Sequence, residues 1–243
     1  MKISIRDLSF GFDDKLLFDR LNLDLEGMER PLVILGPSGS GKTTLLKLLA
    51  GLLKPQAGEI NFSQESDAAR TAFVFQESRL LPWLNVLDNI SLPLEKHFGR
   101  AEAQKRARCF LSLVSLAEKE EAWPDELSGG QAQRVSMARA FAWPAPALFM
   151  DEPFQSLDIP LRINLMDLTL TLLEKEKPRL LIAVTHDPRE AIYLGGRIII
   201  LGKSGGGIVF DKNVELSASD RSYGSAAAGE LEREMIGVLG KTH

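Results

Sequence analysis

Hydrophobic positions recur along this 243-residue chain with more than one period. Apolar and polar residues alternate in Ile3–Leu8 and Leu21–Leu25, a period of two that predicts an antiparallel β-sheet. Further along, apolar residues form short continuous runs, which are typical of strands buried on both faces of a parallel sheet. These runs are Leu32–Leu35, Phe73–Phe75, Leu148–Met150, Leu180–Val184 and Ile198–Leu201.

Segments with helical periodicity lie between the buried runs. In Thr43–Leu53 the leucines form one apolar face that reaches Leu52, and Gly51 is a candidate for the end of this helix. A second helical segment is Leu161–Glu176. Because strands and helices alternate, we expect an α/β core with a mainly parallel sheet.

The segment from about Val86 to Pro144 differs, because its periodicity is helical throughout and it contains no convincing strand. We interpret residues 87–144 as a helical subdomain inserted into a core formed by residues 1–86 and 145–243. Within it, Arg100–Lys119 combines a charged face with an apolar face that includes Phe110. Cys109 is expected to be a small buried hydrophobe.

The sequence from residue 202 onwards indicates less regular structure. The glycine-rich residues 202–207 predict a flexible turn between two strand-like runs, and residues 217–229, rich in Ser, Ala and Gly, predict a mobile segment. A short amphipathic helix is expected at Glu230–Leu239.

The composition of the chain limits the classes of function that it can have. Hydrophobic residues make up 44% of the chain, enough for one large domain with a proper core. The net charge of −4 gives no support to nucleic-acid binding. The N-terminus lacks the apolar core of a signal peptide, and no apolar run approaches the roughly 20 residues that span a bilayer. We therefore expect a cytoplasmic protein that reaches the inner face of the membrane only through a partner.

A glycine-rich loop, GPSGSGKT at Gly36–Thr43, separates the run Leu32–Leu35 from the first helix. It fits the pattern G-x-x-x-x-G-K-[ST], in which glycines let backbone N–H groups turn towards a phosphate. The helix that begins there adds the positive end of its dipole. Lys42 supplies a charge for the β- and γ-phosphates, and the Thr43 hydroxyl is a suitable ligand for Mg²⁺.

Polar residues follow other predicted strands at their carboxyl ends, where open α/β sheets bind ligands. Asp151 is expected to hold Mg²⁺, and the adjacent Glu152 to act as general base towards an attacking water. Gln76 is positioned for the metal or the water, and His186 for the γ-phosphate, while Asp158 lies in the sequence SLD. For each of these three, an ordinary loop residue is the alternative interpretation.

The stretch ELSGGQAQR, residues 126–134, contains a second glycine turn suited to an anion. Ser128 and Gln131 fit the capping-box pattern [ST]-x-x-[EQ], which predicts a helix that begins about Gly129. Gly129 and Gly130 expose the N–H groups of its first turn and allow a phosphate to come close. The stretch is therefore either a helix cap alone or a helix cap that also binds phosphate.

Taken together and in their order along the chain, the motifs resemble those of the ATP-binding subunits of ABC transporters. The resemblance covers nearly the whole chain. They are GPSGSGKT at 36–43, VFQE at 74–77, LSGGQ at 127–131, LFMDEP at 148–153, SLD at 156–158 and THD at 185–187. The resemblance implies a P-loop NTPase core with an N-terminal antiparallel β-subdomain and an inserted helical subdomain. It also implies an ATP hydrolase with Glu152, His186 and Gln76 in catalysis, and with Thr43, Gln76 and Asp151 at Mg²⁺.

The resemblance further implies a head-to-tail dimer that encloses two ATP molecules, in which LSGGQ of one copy faces the phosphate loop of the other. An aromatic residue, usually Tyr, stacks on adenine in this family, and Phe12 is assigned to that place with Phe10 as the alternative. The other residues implied at the nucleotide are Gly36, Pro37, Ser38, Gly39, Ser40, Gly41, Lys42, Thr43, Thr44, Ser128, Gly129, Gly130, Gln131 and Asp158.

The stretch FQESRLLPWLNVLDNISLPL, residues 75–94, is similar to the nitrate, sulfonate and taurine import group, which also includes importers of thiamine-precursor pyrimidines. The resemblance implies a transmembrane permease that docks near this stretch, a periplasmic or lipoprotein solute-binding protein, and no nucleic acid. Candidate permease contacts, with core packing as the alternative, are Leu80, Leu81, Trp83 and Leu84.

Two other functions remain open. One is the ATPase of an ABC export or release complex with a different permease, and the choice between import and export rests on the family resemblance alone. The other is a soluble ABC ATPase that acts on nucleic acid or ribosomes without a permease. The acidic net charge and the apolar LLPWL stretch disfavour the second.

Overall fold

A computed structural model of the chain describes residues 2–13, 15–25, 30–62, 71–155, 157–175, 179–203, 205 and 207–241. The strands are β1 (Ile3–Phe12), β2 (Lys15–Leu25), β3 (Leu32–Leu35), β4 (Ala57–Phe62), β5 (Thr71–Val74), β6 (Ala147–Asp151), β7 (Leu180–Val184), β8 (Arg197–Leu201) and β9 (Ile208–Asn213). The helices are α1 (Lys42–Leu49), α2 (Val86–Phe98), α3 (Arg100–Leu113), α4 (Gly129–Ala142), α5 (Ile159–Lys175), α6 (Pro188–Leu194) and α7 (Ala226–Lys241). The chain divides into two compact units: unit 1 comprises residues 1–69 and 178–243, and unit 2 comprises residues 70–177.

Unit 1 contains an antiparallel sheet in the order β2-β1-β4. Apolar side chains of β1 and β2, such as Ile5 and Leu23, are buried, while the alternate polar residues are exposed. This confirms the predicted antiparallel pair, which is longer than its period-two runs. The edge strand β4 was not predicted: residues 59–62 alternate polar and apolar, but this run is short and none of the side chains of β4 is buried.

Unit 1 also contains the parallel strands β7, β3 and β8 side by side, with β9 antiparallel to β8. Every residue of β3 and β7 is buried, as their continuous apolar runs predicted. Helix α1 packs against β7, and α6 packs against β3. Because β3 and β7 are parallel neighbours, the loops that follow them leave the sheet at the same edge.

Unit 2 combines the parallel pair β5 and β6 with four helices. Helices α2, α3 and α4 pack against one another, and α4 also contacts β5. Arg106 of α3 links them: its Nε donates to the carbonyl oxygen of Ala142 at 2.6 Å, and its guanidinium lies over the rings of Phe98 and Phe110. The subdomain boundaries at residues 87 and 144 stay a prediction.

The first helix is shorter than its leucine pattern predicted. Helix α1 ends at Leu49, and Gly51, with φ of 72°, follows the turn that ends it. Leu52 is therefore outside the helix and 52% exposed, so its assignment to the apolar face was wrong. Gly51 was correctly identified as the end signal.

Two further expectations are corrected. Cys109 is exposed, because the buried face of α3 passes through its neighbour Phe110. Helix α7 begins at Ala226, inside the stretch from 217 to 229, because Ser225 accepts the N–H of Ala228 and starts the helix early. Glu176, Ser204 and Gly206, which fell within predicted segments, lie outside the described residues.

Across the described ranges, no helix combines the length and the apolar character that crossing a bilayer requires.

The contrast between Phe110 and Cys109 provides a stability test. Phe110→Ala removes a ring that is 5% exposed, so we expect the free energy of unfolding to fall by about 3–5 kcal/mol. The matched control Cys109→Ala alters an exposed thiol and should change that free energy by less than about 0.5 kcal/mol. Urea denaturation followed by circular dichroism measures both, and equal effects of the two substitutions would contradict this packing of α3.

Candidate functional site

The glycine-rich loop fits closely against β2 in unit 1. Gly41, at the N-terminus of α1, has φ of 92°, a backbone conformation that favours glycine. A Cβ at Gly41 would lie 2.2 Å from Cδ2 of Leu17 and 2.7 Å from Cζ of Phe18. The backbone angle therefore favours glycine at this position, and a side chain here would also displace the ends of two β2 side chains.

Lys42, the first residue of α1, is 8% exposed and reaches back across the loop. Its Nζ donates to the carbonyl oxygens of Gly36 at 2.9 Å and Pro37 at 3.0 Å. The Ser40 hydroxyl is buried and has no hydrogen-bond partner among the described residues. The loop thus concentrates one positive charge and one unsatisfied hydroxyl at the start of a helix.

His186 follows β7 and is exposed at the same sheet edge as the glycine-rich loop. Thr185 donates its hydroxyl to the buried carboxylate of Glu190 and accepts the N–H of Asp187 at 3.1 Å. Asp187 in turn caps α6 by accepting the N–H of Arg189 at 2.8 Å. These bonds fix the backbone on both sides of His186.

Asp151 and Glu152 lie at the carboxyl end of β6 in unit 2. Asp151 is 4% exposed, and it ends a strand in which every residue is buried. Glu152 is half-buried and has φ of 46°, a left-handed conformation that is uncommon for a residue with a Cβ. Backbone strain of this kind is concentrated at functional sites.

Gln76 follows β5, the parallel neighbour of β6, and therefore lies at the same edge as Asp151. Its exposed side chain donates from Nε2 to Oε1 of Gln155 at 2.8 Å. The buried Gln133 of α4 donates to the carbonyl of Phe75 at 3.1 Å and so anchors the chain just before Gln76. Gln155 and Gln133 were both missed from the sequence, although a polar residue on the buried side of α4 was an available signal for Gln133.

The second glycine turn is the N-terminus of α4, which begins at Gly129 as predicted. The capping box is present: Ser128 Oγ accepts the N–H of Gln131 at 3.3 Å, and Gln131 Oε1 accepts the N–H of Ser128 at 2.9 Å. Ser128 and Gly129 are exposed, and a Cβ at Gly129 would meet nothing within 4 Å. The turn is thus a helix cap whose outer side is open.

Asp158 is the N-terminal cap of α5. Its Oδ1 accepts the N–H of Leu161 at 2.9 Å, which gives this exposed residue a structural role. A contact between Asp158 and a nucleotide stays a prediction. Ser156, the first residue of SLD, lies outside the described residues.

The segment between β5 and α2 exposes an aromatic ring. Trp83 is 68% exposed, so core packing is wrong as an interpretation of this residue, whereas Leu80, Leu81 and Leu84 are half-buried. The buried Asn89 side chain holds the segment: it donates to the carbonyls of Leu81 at 3.1 Å and Leu84 at 3.0 Å and accepts the N–H of Leu81 at 2.7 Å. Asn89 was also missed, although a polar residue within the apolar pattern of α2 marks it.

Phe12 and Phe10 lie on β1 with very different exposure. The Phe12 side chain is 51% exposed and that of Phe10 is 7% exposed, and the two rings meet edge to face at 5.1 Å. Phe10 therefore belongs to the core of the antiparallel sheet, and Phe12 has the ring that a ligand can reach.

Comparisons with known proteins agree on one family. A family profile described as ABC transporter matches residues 18–155. The chain is 42% identical to an aliphatic sulfonates import ATP-binding protein of Rhodococcus jostii, over 98% of this chain and 93% of that protein. It is 40% identical to a protein of the same description from Streptomyces avermitilis, over 99% of this chain and 91% of that protein.

A solved structure agrees as well. The ATP-binding cassette MJ0796, in a dimeric post-hydrolysis state bound to ADP and Pi, is 30% identical with a TM-score of 0.78, over 88% of this chain and 100% of that one. The α/β fold with a mainly parallel sheet, an antiparallel sheet and helices is confirmed by this likeness. The phosphate loop, the Ser128 turn and Asp151 all fall within residues 18–155 of the profile match. The chain therefore belongs to the ABC transporter family and is an ATP-hydrolysing, ATP-binding domain of that family.

Proposed function

We propose that this chain is the ATPase subunit of a membrane importer for a small organic anion, with an aliphatic sulfonate as the favoured solute. The observation that carries the ATPase part of the proposal is the open, capped helix N-terminus at Ser128 in a chain that also has a complete phosphate loop. The solute class follows the relatives named above, which match over 98% and 99% of this chain. Nitrate, taurine and thiamine-precursor-like molecules are the other solutes of the group that the sequence resembles.

The phosphates of ATP fit the loop from Gly36 to Thr44. Gly39 and Gly41, with φ of 78° and 92°, give the left-handed turns that point successive N–H groups to one side. A phosphate oxygen would give the buried Ser40 hydroxyl a partner, and Lys42 would attract the β- and γ-oxygens. The backbone of Pro37 and Ser38 completes the curve of the loop.

Three side chains are suited to Mg²⁺. The Thr43 hydroxyl, the Gln76 amide oxygen and the Asp151 carboxylate are all hard oxygen ligands of the kind that this ion prefers. When bound, the ion neutralises charge on the phosphate oxygens. The low exposure of Asp151 supports its role, because a buried carboxylate is stabilised by a nearby cation.

Glu152 is the proposed general base, which accepts a proton from the attacking water at its carboxylate. Its place directly after Asp151, at the carboxyl end of the buried strand β6, supports this role. Gln76, oriented by its hydrogen bond to Gln155, would position the water. The His186 imidazole would donate a hydrogen bond to the γ-phosphate, and the bonded turn around it limits its movement.

A second copy of the chain is the proposed partner at the nucleotide. The first turn of α4, from Ser128 to Gln131, would direct its N–H groups towards the phosphate held by the loop of the other copy. Asp158 would lie at the same interface. The dimeric state of the MJ0796 cassette supports this arrangement. Phe12 is preferred over Phe10 for stacking on adenine, because its ring is exposed.

A permease is the proposed membrane partner, together with a periplasmic or lipoprotein solute-binding protein that selects the solute. Trp83 would anchor the permease contact, because exposed aromatic rings dominate binding energy at interfaces. Leu80 and Leu81 would extend that surface. The chain would then lie at the inner face of the membrane through the permease.

Glu152→Gln removes the proposed base and keeps the size of the side chain. We expect ATP hydrolysis to fall by at least about 100-fold while ATP binding is retained. Phosphate release and binding of a fluorescent nucleotide measure the two quantities. The control Glu118→Gln, at an exposed position, should leave both unchanged. Turnover near the original rate in Glu152→Gln would remove Glu152 from the base role.

Mixing two inactive variants tests the arrangement of the dimer. Lys42→Ala disables the phosphate loop, and Ser128→Arg blocks the first turn of α4. A head-to-tail heterodimer has one site with both motifs intact, so we expect each variant alone to be inactive and the mixture to recover part of the hydrolysis. Phosphate release after mixing measures this. A mixture as inactive as its components would mean that each chain uses its own Ser128 turn.

Trp83→Ser tests the permease surface. We expect the fraction of the chain recovered with membranes that contain its native permease to fall by about tenfold. The free energy of unfolding should change by less than about 0.5 kcal/mol, because the ring is exposed. Trp123→Ser, at another exposed tryptophan, is the matched control and should keep membrane recovery. Equal recovery of the two variants would reject Trp83 as the anchor.

A further inference from the structure

Unit 1 contains a cavity of about 380 Å³ that has no part in the ATP site described above. It is lined by residues of α6, of α7 and of the turn that precedes α7. Its volume lies within the range of small-molecule sites, about 300–1,000 Å³. The lining residues that matter here are Arg189, Ile192, Arg221, Tyr223, Ala228 and Glu232.

Arg221 is the buried cation of this cavity, at 5% exposure. Its Nε donates to the carbonyl of Leu216 at 2.9 Å, its Nη1 donates to the carbonyls of Ile192 and Gly195, and its Nη2 donates to that of Val214 at 2.8 Å. A guanidinium carries one N–H at Nε and two at each Nη. The second N–H of Nη2 therefore has no acceptor among the described residues.

No carboxylate balances this buried charge within the described part of the chain, where Arg221 bonds only to backbone carbonyls. Burial, and then repulsion from Arg30, lowers the pKa of Arg221 to about 10. A desolvated cation without a counter-charge is unfavourable, and the carbonyls at the end of α6 compensate it only in part. An anion in the cavity would supply both the missing charge and the missing acceptor.

A second arginine stands at the same cavity. Arg189 pairs through Nε with Glu232 at 2.9 Å, and its Nη groups make no hydrogen bond within the described residues. The charged groups that line the cavity are thus two guanidinium groups and one carboxylate, which leaves an excess of one positive charge. Ala228, in the first turn of α7, also lines the cavity, so the positive end of that helix dipole adds to the excess.

We propose that this cavity binds a small organic monoanion. Its anionic group would lie between Arg221 and Arg189, and its short apolar tail would pack against Ile192 and Ala228. Sulfonates and carboxylates share this chemistry; a sulfonate would come from the transported solute, and a carboxylate from a metabolite. The anion site itself does not depend on the proposed transport function, and only the transported solute as the source of a sulfonate rests on it.

Calorimetric titration into the full chain saturated with ADP tests the proposal, because bound ADP keeps small anions out of the phosphate loop. The probes are butanesulfonate, butyrate and the neutral butanol. We expect saturable binding of at least one anion and binding of butanol that is weaker by at least about tenfold. Tighter binding of butanesulfonate would support the transported solute as the source, and tighter binding of butyrate a metabolite. Absence of saturable anion binding, or equal affinity for butanol, would overturn the site.

Two variants locate the binding. Ala228→Leu fills the cavity, and Arg189→Gln removes a charge without touching the hydrogen bonds of Arg221. Each should weaken anion binding by about tenfold. Ala226→Leu, at an exposed position of the same helical turn, is the matched control and should bind as the original chain does. Thermal unfolding verifies that all three fold. Unchanged anion binding in Ala228→Leu would show that the anion lies elsewhere and that the proposal is wrong.

Discussion

Gly41 has a left-handed φ of 92°, which lets the phosphate loop turn into α1, and its backbone packs against the side chains of Leu17 and Phe18 of β2. With the loop pressed against β2, α1 begins at Lys42, whose ammonium group bonds back to the first two carbonyls of the loop. Strand β3, which is buried along its whole length, ends at Leu35, directly before the loop. The predicted phosphate loop thus packs against side chains of the antiparallel sheet, although its own residues do not belong to that sheet.

Helix N-termini recur at the proposed functional motifs, and their caps differ. Asp158 and Asp187 use side chains to cap α5 and α6, which satisfies backbone N–H groups and makes the turns rigid. Gly41 at α1 makes no side-chain cap, so the N–H groups there are available to phosphate. Ser128 is intermediate, because its capping box satisfies one N–H of α4 and leaves its outer side open. The two helix ends that are proposed to face phosphate, those of α1 and α4, are thus uncapped or partly capped.

The sequence predicted those features that depend on local pattern. Strands β3 and β7 begin and end where their apolar runs do, and the capping box predicted the start of α4 at Gly129. In β4 only residues 59–62 alternate in polarity, and pairing with β1 extends the strand back to Ala57. The exposure of Cys109 depends on which side of α3 faces its neighbours. Arg221 is held by backbone carbonyls from two separate segments. One is α6, through Ile192, and the other contains Val214 and Leu216. Only the fold brings these segments together.

ATP hydrolysis by this chain is proposed to require two copies of it. The most direct measurement is the rate of phosphate release per chain over a dilution series through the dimerisation range, with light scattering on the same samples. We expect the rate per chain to rise with protein concentration in step with the fraction of dimer. A rate per chain that stays constant down to concentrations where light scattering finds only monomer would contradict the account.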